Sequence, residues 1–292
     1  MQYDVRLQLN YEYQHPVADA RHLLRVMPRA LPGIQQVQEA KLKIEPWPEE
    51  RSGFDDFFGN GVTEIVLRAP HRTLALEMRA RVQVERQPPE LDLSPDLQGL
   101  RAEVAETGLL AADAPCHFLP PSPHVPLFER ITAYAARSVR PGSSALDIVQ
   151  DLGRRLRGDF AYDPEATDVD TPLGQAFDMR AGVCQDFSQI MIAGLRGLGI
   201  PAGYVSGFLR TIPPAGAKRL EGADATHAWV RAWCGRQMGW REFDPTNAMP
   251  AGDDHITLGH GRDYGDISPI AGVLRTTGEH EACQAVDVVP LG

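Results

Sequence analysis

The spacing of apolar residues changes along this chain, and the change limits the folds that the chain can form. Before about residue 90, polar and apolar residues alternate, as in residues 3–9, which is the pattern of half-buried strands. A segment with five prolines follows at residues 115–126 and predicts an extended linker. Beyond it, apolar residues recur at helical spacing before further strands. The sequence therefore predicts an α+β protein, with an all-β, sandwich-like domain over residues 1–115, the linker at 116–126 and a mixed core over 127–292.

The composition excludes several classes of protein. Hydrophobic residues form 43% of the 292 residues, which is enough for packed cores. The formal net charge of −10, with no Lys/Arg run, argues against a nucleic-acid-binding surface. No stretch approaches the ~18 apolar residues of a membrane-spanning helix, and the N-terminus has the pattern of a strand and not of a signal peptide. We therefore expect a cytoplasmic protein with no nucleic-acid or membrane partner.

Disulfide and metal chemistry are not predicted. The four cysteines, at 116, 184, 234 and 283, include no CxxC pair and no zinc-site spacing with histidines. The aspartates at 163, 168 and 170 lack the spacing of an EF-hand loop, so a solvated acidic loop is the better interpretation. His255 and His260 follow two aspartates and could bind a metal, but loop histidines seldom do. We therefore predict no metal and no cofactor.

The clearest single element is a helix predicted from Cys184 to Leu198, with Gly199 as its C-terminal cap and Pro201 beyond it. Cys184 then lies at a helix start. The unpaired N–H groups there carry partial positive charge and favour the thiolate, which is the nucleophilic form of cysteine. The alternative is a small buried cysteine that packs like alanine.

His227 and Asp244 lie on two predicted strands that are joined by a tight turn. His227 shares a strand face with Trp229 and could serve as a base for a cysteine, although a lone histidine is more often a packed residue bonded to the backbone. Asp244 could orient an imidazole and stabilise its charged form. The alternative for Asp244 is an aspartate that starts a turn before Pro245.

The register of this hairpin decides whether His227 and Asp244 can meet. In an antiparallel pair, the numbers of directly opposed residues have a constant sum, and His227 and Asp244 sum to 471. A hairpin that pairs Trp233 with Arg241 has the sum 474 and places Asp244 on the face opposite His227. The pair therefore requires an odd-sum register or a bulge, and we predict one of these.

Four ordered motifs carry a resemblance to a known family. They are Gly-Val-Cys-Gln-Asp-Phe at 182–187, Leu-Gly-Ile-Pro-Ala-Gly-Tyr-Val at 198–205, His-Ala-Trp-Val at 227–230 and Phe-Asp-Pro-Thr-Asn at 243–247. Together they resemble the bacterial transglutaminase-like superfamily, whose members are often described as cysteine proteases. The N-terminal part is similar to the β domain of these bacterial proteins, through Pro28-Arg29, Phe58-Gly59-Asn60 and Pro70-His71. The segment 261–272 is similar to theirs as well, so the resemblance spans almost the whole chain.

This resemblance implies a papain-like α+β core and a Cys-His-Asp triad. Cys184 would attack a carboxamide carbon to form a thioester, His227 would take and return the proton, and Asp244 would hold His227. The backbone N–H of Cys184 is a candidate oxyanion donor. Tyr162 is a second candidate, and a core tyrosine before a loop is an equal alternative. Three neighbours in the motifs are candidates for the substrate cleft, namely Gly182, Gln185 and Trp229.

The motifs leave the reaction open among three functions. The leading hypothesis is a metal-independent hydrolase of amide bonds in peptides or proteins. The first alternative is transfer of the acyl group to an amine, which cross-links proteins. The second is a catalytically idle module that binds a protein partner, and the intact set of Cys184, His227 and Asp244 opposes it.

Overall fold

The computed structural model describes residues 1–88, 91–108, 110–211 and 224–291. The N-terminal part is all β, as the alternating pattern predicts. It contains five strands: β1 Gln2–Leu24, β2 Gln35–Glu45, β3 Glu50–Asp55, β4 Gly61–Leu67 and β5 His71–Val84.

Strand β1 is long because it pairs with two groups of strands. Its first half pairs with β5, which in turn pairs with β2, and its second half pairs with β4, which pairs with β3. The register shifts between Glu12 and Val17, where the strand passes from one group to the other. Apolar side chains from both halves enter one buried cluster.

Helices dominate the next section of the chain. They are α1 Leu97–Ala105, a 3₁₀ turn Pro115–Phe118, α2 Glu129–Ala136, α3 Ala145–Asp159, α4 Leu173–Met179 and α5 Cys184–Leu198, with the two-residue strands β6 Ala161–Tyr162 and β7 Ala181–Gly182 between them. Ser144 caps α3 by accepting the backbone N–H of Asp147. Among the described residues, no helix is long and apolar enough to cross a membrane.

The core sheet follows these helices. Its strands are β8 Ala202–Leu209, β9 Ala225–Trp233, β10 Trp240–Asp244, β11 Met249–Pro250 and β12 His255–Gly261, in the order β11-β10-β9-β8-β12. Helices α2, α3 and α5 pack with this sheet around one buried cluster. The predicted α+β class, with an N-terminal β part followed by helices packed on an antiparallel sheet, is therefore confirmed.

The β9–β10 hairpin has the odd-sum register that the sequence analysis requires. Trp240 pairs with Trp233, Glu242 with Arg231 and Phe243 with Val230, so each pair sums to 473. Side chains alternate between the two faces along each strand, so in this register Asp244 lies on the same face as His227. This prediction is confirmed.

The last elements return to the N-terminal strands. After α6 Tyr264–Ile267, the strands β13 Ile270–Arg275 and β14 His280–Leu291 both pair with β1. The sequence analysis assigns these residues to the part at 127–292, and α1 to the part at 1–115, although Leu100 and Val104 of α1 pack in the core cluster. Strands β13 and β14 thus pair with a strand of the N-terminal part, and α1 packs with the core, so each part buries apolar surface of the other.

The proline-rich segment is fixed to the core by Arg196 of α5. This guanidinium is buried and donates to the carbonyl of Pro120 (3.2 Å), to Ser122 Oγ (3.0 Å) and to the carbonyl of Arg262. Phe118, at the end of the 3₁₀ turn, is buried against Trp240. The segment predicted as an extended linker therefore packs as part of the core surface.

Candidate active site

Cys184 is the first residue of α5 and is half-buried. The start of the helix is held by Asp186, whose carboxylate accepts the backbone N–H of Val183 (2.8 Å) and the hydroxyl of Thr167 (2.7 Å). Most of α5 is buried, so the helix is a rigid support for its first residue. The Cys184 thiol thus lies at the positive end of the helix dipole, beside the first-turn N–H groups that lack intrahelical acceptors.

His227 lies on β9, directly opposite Gly207 of β8. Its side chain is nearly buried, and Nε2 lies 2.8 Å from Oδ2 of Asp244. The neighbouring strands approach closely here because residue 207 has no side chain. A Cβ at that position would lie 2.1 Å from the carbonyl oxygen of Ile256 and 2.5 Å from the ring of Trp229.

The pKa of His227 reflects its two neighbours. Burial lowers this pKa, but hydrogen bonds with Asp244 and with the Cys184 thiol outweigh burial and raise it to about 10. Since Nε2 is bonded to Asp244, Nδ1 is the ring nitrogen that remains for Cys184. The raised pKa favours the protonated imidazole at neutral pH, and a protonated imidazole can stabilise a neighbouring thiolate.

Asp244 ends β10 and is fully buried. Its Oδ2 accepts hydrogen bonds from His227 Nε2 (2.8 Å), His255 Nε2 (3.1 Å) and Asn247 Nδ2 (2.7 Å). Its Oδ1 accepts the backbone N–H groups of Thr246 (2.9 Å) and Asn247 (3.2 Å). Burial alone would raise the pKa of Asp244, but the bonds from His227, His255 and Asn247 hold it well below its usual range. The Asp-Pro-Thr-Asn turn therefore supplies its own donors to keep this carboxylate charged.

His255 is a member of this site that the sequence analysis does not assign to it. It begins β12, is 1% exposed, and lies opposite Leu209 of β8. Its Nδ1 accepts the backbone N–H of Gly252 (3.1 Å), so the proton is on Nε2, which donates to Asp244 (3.1 Å). The alternation of His255, Ile256, Thr257 and Leu258 could have indicated a strand and not a loop.

The arrangement of His255 opposes a metal centre here. Ligand atoms of His227, Asp244 and His255 all lie within 4.8 Å of one another, as metal ligands do. A histidine binds a metal through an unprotonated nitrogen, however, and Nε2 of His255 carries its proton. If the proton were on Nδ1 instead, it would face the backbone N–H of Gly252, and two donors would oppose each other. The donor set therefore fits a hydrogen-bonded histidine–carboxylate–histidine network.

Tyr162 lies beside Cys184 through the short parallel pair β6–β7. Tyr162 is paired with Gly182, two residues before Cys184, and its side chain is 51% exposed. Burial and the charge of Cys184 raise the pKa of the Tyr162 phenol, so it stays protonated at neutral pH. The hydroxyl can therefore act as a hydrogen-bond donor near the thiol.

The candidates for the substrate cleft have different surroundings. Gly182 is buried, and a Cβ there would lie 2.4 Å from the carboxylate of Asp186, so the missing side chain makes room for Asp186. Gln185 is half-buried and donates to the carbonyl of Val169 (3.2 Å), which ties it to the acidic loop.

Trp229 corrects the sequence analysis. Its side chain is fully buried, so it cannot line a cleft that a substrate enters. It stacks on His227, with ring centroids 6.1 Å apart and an interplanar angle of 28°, and donates to Glu242 (2.7 Å). Trp229 therefore packs against the His227 ring and holds its orientation.

The remaining cysteines and aspartates have local roles. Cys234 is buried, which raises the pKa of its thiol to about 12, while Cys116 is half-buried and Cys283 exposed. In the acidic loop, Asp163 accepts the N–H of Glu165 (2.9 Å), and Asp168 accepts that of the residue two further on (3.0 Å). These carboxylates form turns, as expected for a solvated loop.

Comparison with known proteins gives two matching families. The bacterial transglutaminase-like N-terminal region matches residues 3–85, and the transglutaminase-like superfamily matches residues 132–245, which include Cys184, His227 and Asp244. The uncharacterized protein Rv2569c of Mycobacterium tuberculosis is 37% identical over 257 residues, which are 86% of this chain and 81% of the relative. The uncharacterized protein ML0607 of Mycobacterium leprae is 30% identical over 283 residues, 96% of each chain.

A solved structure has the same fold. The "putative cysteine protease" from Cytophaga hutchinsonii superposes with a TM-score of 0.77 at 20% sequence identity, and the match covers all of this chain and 91% of that one. The motifs, the fold and these relatives agree over both parts of the molecule. The chain belongs to the transglutaminase-like superfamily and carries the N-terminal region of its bacterial members.

Proposed function

We propose that the protein is a thiol hydrolase that cleaves amide bonds of peptides or proteins through Cys184, His227 and Asp244. The observation that carries this proposal is the buried hydrogen bond between His227 and Asp244, with the Cys184 thiol of the α5 start as the second neighbour of the imidazole. A charged imidazole held between a carboxylate and a thiol is the arrangement that cysteine hydrolases need.

In the first half of the reaction, the Cys184 thiolate attacks the carbonyl carbon of the amide. The carbonyl oxygen becomes an oxyanion, for which the backbone N–H of Cys184 and the Tyr162 hydroxyl are the proposed donors. The C–N bond then breaks, and His227 gives its proton to the departing amine. A thioester on Cys184 and a neutral imidazole remain, so atoms and charges balance.

In the second half, neutral His227 takes a proton from water as the water oxygen attacks the thioester carbon. The C–S bond breaks, the acid leaves, and the thiolate–imidazolium pair is restored. Asp244 does not exchange a proton in this scheme. It orients the imidazole through Nε2 and stabilises its charged form in both halves.

The exposure of the site favours water over an amine as the acceptor. Tyr162, the proposed oxyanion donor beside Cys184, is 51% exposed and Cys184 is half-buried, so this part of the site is partly open to solvent in the free protein. Transfer to an amine requires a site that excludes water, because water is present at about 55 M and competes for the thioester. Hydrolysis is therefore the leading activity and amine transfer the alternative.

Alkylation tests whether Cys184 is activated. The protein is treated with limiting iodoacetamide from pH 5 to pH 9, and each cysteine is quantified by mass spectrometry. Cys184 should be labelled selectively below pH 7, and His227→Ala should abolish the selectivity. The exposed Cys283 is an internal control for an ordinary accessible thiol. Equal, slow labelling of Cys184 and Cys283 would instead favour an idle binding module.

A peptide library then separates the two reactions. Cleavage is followed by mass spectrometry with and without an added primary amine, for the wild type and Cys184→Ala. New peptide termini that depend on Cys184 and do not change with the amine support hydrolysis. Products that gain the mass of the amine minus ammonia would instead establish transfer to glutamine side chains.

A further inference from the structure

Arg86 joins the N-terminal strands to the core sheet. It follows β5, which ends at Val84, and its side chain is 8% exposed. Three contacts hold it against the core: the backbone N–H donates to Asp253 (2.8 Å), Nη1 to Glu242 (2.9 Å) and Nη2 to Thr257 Oγ1 (3.0 Å). An arginine at the end of the N-terminal strands therefore lies, nearly buried, beside β10 and β12.

Glu242 of β10 connects Arg86 with Trp229. Its side chain is 9% exposed, and its Oε2 accepts both Nη1 of Arg86 (2.9 Å) and the indole N–H of Trp229 (2.7 Å). Burial alone would raise the pKa of Glu242, but the charge of Arg86 and contacts with His260 and Trp229 hold it well below its usual range. The acceptor of the Trp229 N–H is therefore a carboxylate whose charge Arg86 compensates.

The other basic groups around Glu242 do not replace Arg86. His260 lies 3.6 Å from Oε1 of Glu242, but burial and the charge of Arg231 lower the pKa of His260 to about 4, so it is neutral at pH 7. Arg231 is paired with Glu242 across the hairpin, and its Nη1 donates to Nδ1 of His260 (2.6 Å) and not to the carboxylate. Among the residues that the structure describes, Arg86 is therefore the one cation hydrogen-bonded to Glu242.

Trp229 carries this arrangement to the candidate active site. Its ring stacks on that of His227, with centroids 6.1 Å apart, and meets the ring of His255 edge-on, with centroids 5.2 Å apart. A Cβ at Gly207 would lie 2.5 Å from the Trp229 ring, so the strand backbone bounds the ring closely. The bond to Glu242 fixes the polar edge of the same ring. The orientation of the surface on which His227 stacks thus depends on where Oε2 of Glu242 is held.

We propose that Arg86 is a positioning residue for His227 and acts through Glu242 and Trp229. Without the guanidinium, the buried carboxylate loses its hydrogen-bonded cation, and it then becomes protonated or turns towards Arg231. Trp229 loses its fixed acceptor in either case, so the imidazole is oriented less firmly. This inference rests on the proposed roles of His227 and the Cys184 thiolate. It makes the junction after the N-terminal strands part of the support of the active site.

The pH profile of Cys184 alkylation tests the proposal in the full chain. Rates with limiting iodoacetamide are measured from pH 5 to pH 9.5 for the wild type and Arg86→Met. The substitution should move the midpoint towards the ordinary cysteine value of about 8.5 and slow alkylation at pH 6 about three- to tenfold. The rates should agree at pH 9.5, where an ordinary thiol is ionised as well. A loss of folding stability alone would not move this midpoint.

Arg25→Met is the matched control. The ion pair of Arg25 with Asp56 is also largely buried, with 14% and 13% of the side chains exposed. Its described contacts do not include Glu242 or Trp229. The control should therefore lose stability in urea and keep the wild-type midpoint.

A second variant keeps the test decisive if Arg86→Met does not fold by circular dichroism. Trp229→Phe retains an aromatic ring beside His227 but has no N–H donor for Glu242, so it should raise the midpoint as well. An unchanged midpoint in the folded variant overturns this inference and leaves the proposed function intact. A wild type in which Cys184 and Cys283 are labelled alike overturns the proposed function together with the inference.

Discussion

The substitution Asp244→Asn, at the buried carboxylate, is the most direct test of the candidate site. The carboxylate accepts five hydrogen bonds, three at Oδ2 and two at Oδ1. An amide has one oxygen, and its NH₂ group must face the donors on the other side. If the amide oxygen takes the Oδ2 position, two backbone N–H groups lose their acceptor, and in the reverse orientation three side-chain donors do.

The cost can be worked from these contacts. At least two hydrogen bonds are lost in a buried site, at about 1–3 kcal/mol each, so the free energy of unfolding should fall by about 2–6 kcal/mol. The charge that raises the pKa of His227 is lost as well, and burial then lowers that pKa. A smaller fraction of the imidazole is then protonated and the Cys184 thiolate is less stabilised, so alkylation of Cys184 at pH 6 should slow about tenfold.

The assay is the rate of Cys184 alkylation by iodoacetamide at pH 6, beside urea unfolding. Asp254→Asn is the matched control, because Asp254 is bonded to Tyr3 (2.7 Å) and Arg210 (3.3 Å) and not to His227. The control should keep the wild-type rate. An unchanged alkylation rate in folded Asp244→Asn would refute the view that this carboxylate maintains the charged imidazole.

Three further predictions concern the same strands. His255→Phe removes one of the donors to Asp244, so the free energy of unfolding in urea should fall by about 1.5–3 kcal/mol. The alkylation of Cys184 should also slow, and an unchanged rate would contradict a positioning role for His255. Gly207→Ala forces a Cβ against Ile256 and Trp229 and should cost about 1–3 kcal/mol in the same measurement. Because the pKa of His227 is raised to about 10, its protonated form stabilises the fold fully below about pH 6.5, and the stabilisation declines as the pH rises through about 10. Wild type should therefore lose roughly 2–5 kcal/mol more than His227→Gln between pH 6.5 and pH 10.5, and equal losses would contradict the raised pKa.

Local sequence patterns determined much of this fold. The helix from Cys184 to Leu198 has the predicted bounds, because periodicity and caps are properties of a short segment. The hairpin register was also accessible, since the requirement that His227 and Asp244 share a face excluded the even-sum pairing.

Contacts between distant segments could not be predicted in this way. Trp229 shares its motif with His227, but its complete burial depends on Gly207 and Glu242 on neighbouring strands. The pairing of β14 with β1 joins the two ends of the chain, and no local pattern specifies which edge accepts a strand.

The sequence by itself determined the α+β class, the family and three residues for the proposed chemistry, namely Cys184, His227 and Asp244. The tertiary structure decided which further groups those residues meet. His255 donates to Asp244 from β12, and Gly207 of β8 leaves room for Ile256 and Trp229 to pack closely beside His227. The physical reason is that side-chain periodicity is set within a segment, whereas hydrogen-bond partners and cavities arise where separate segments pack together.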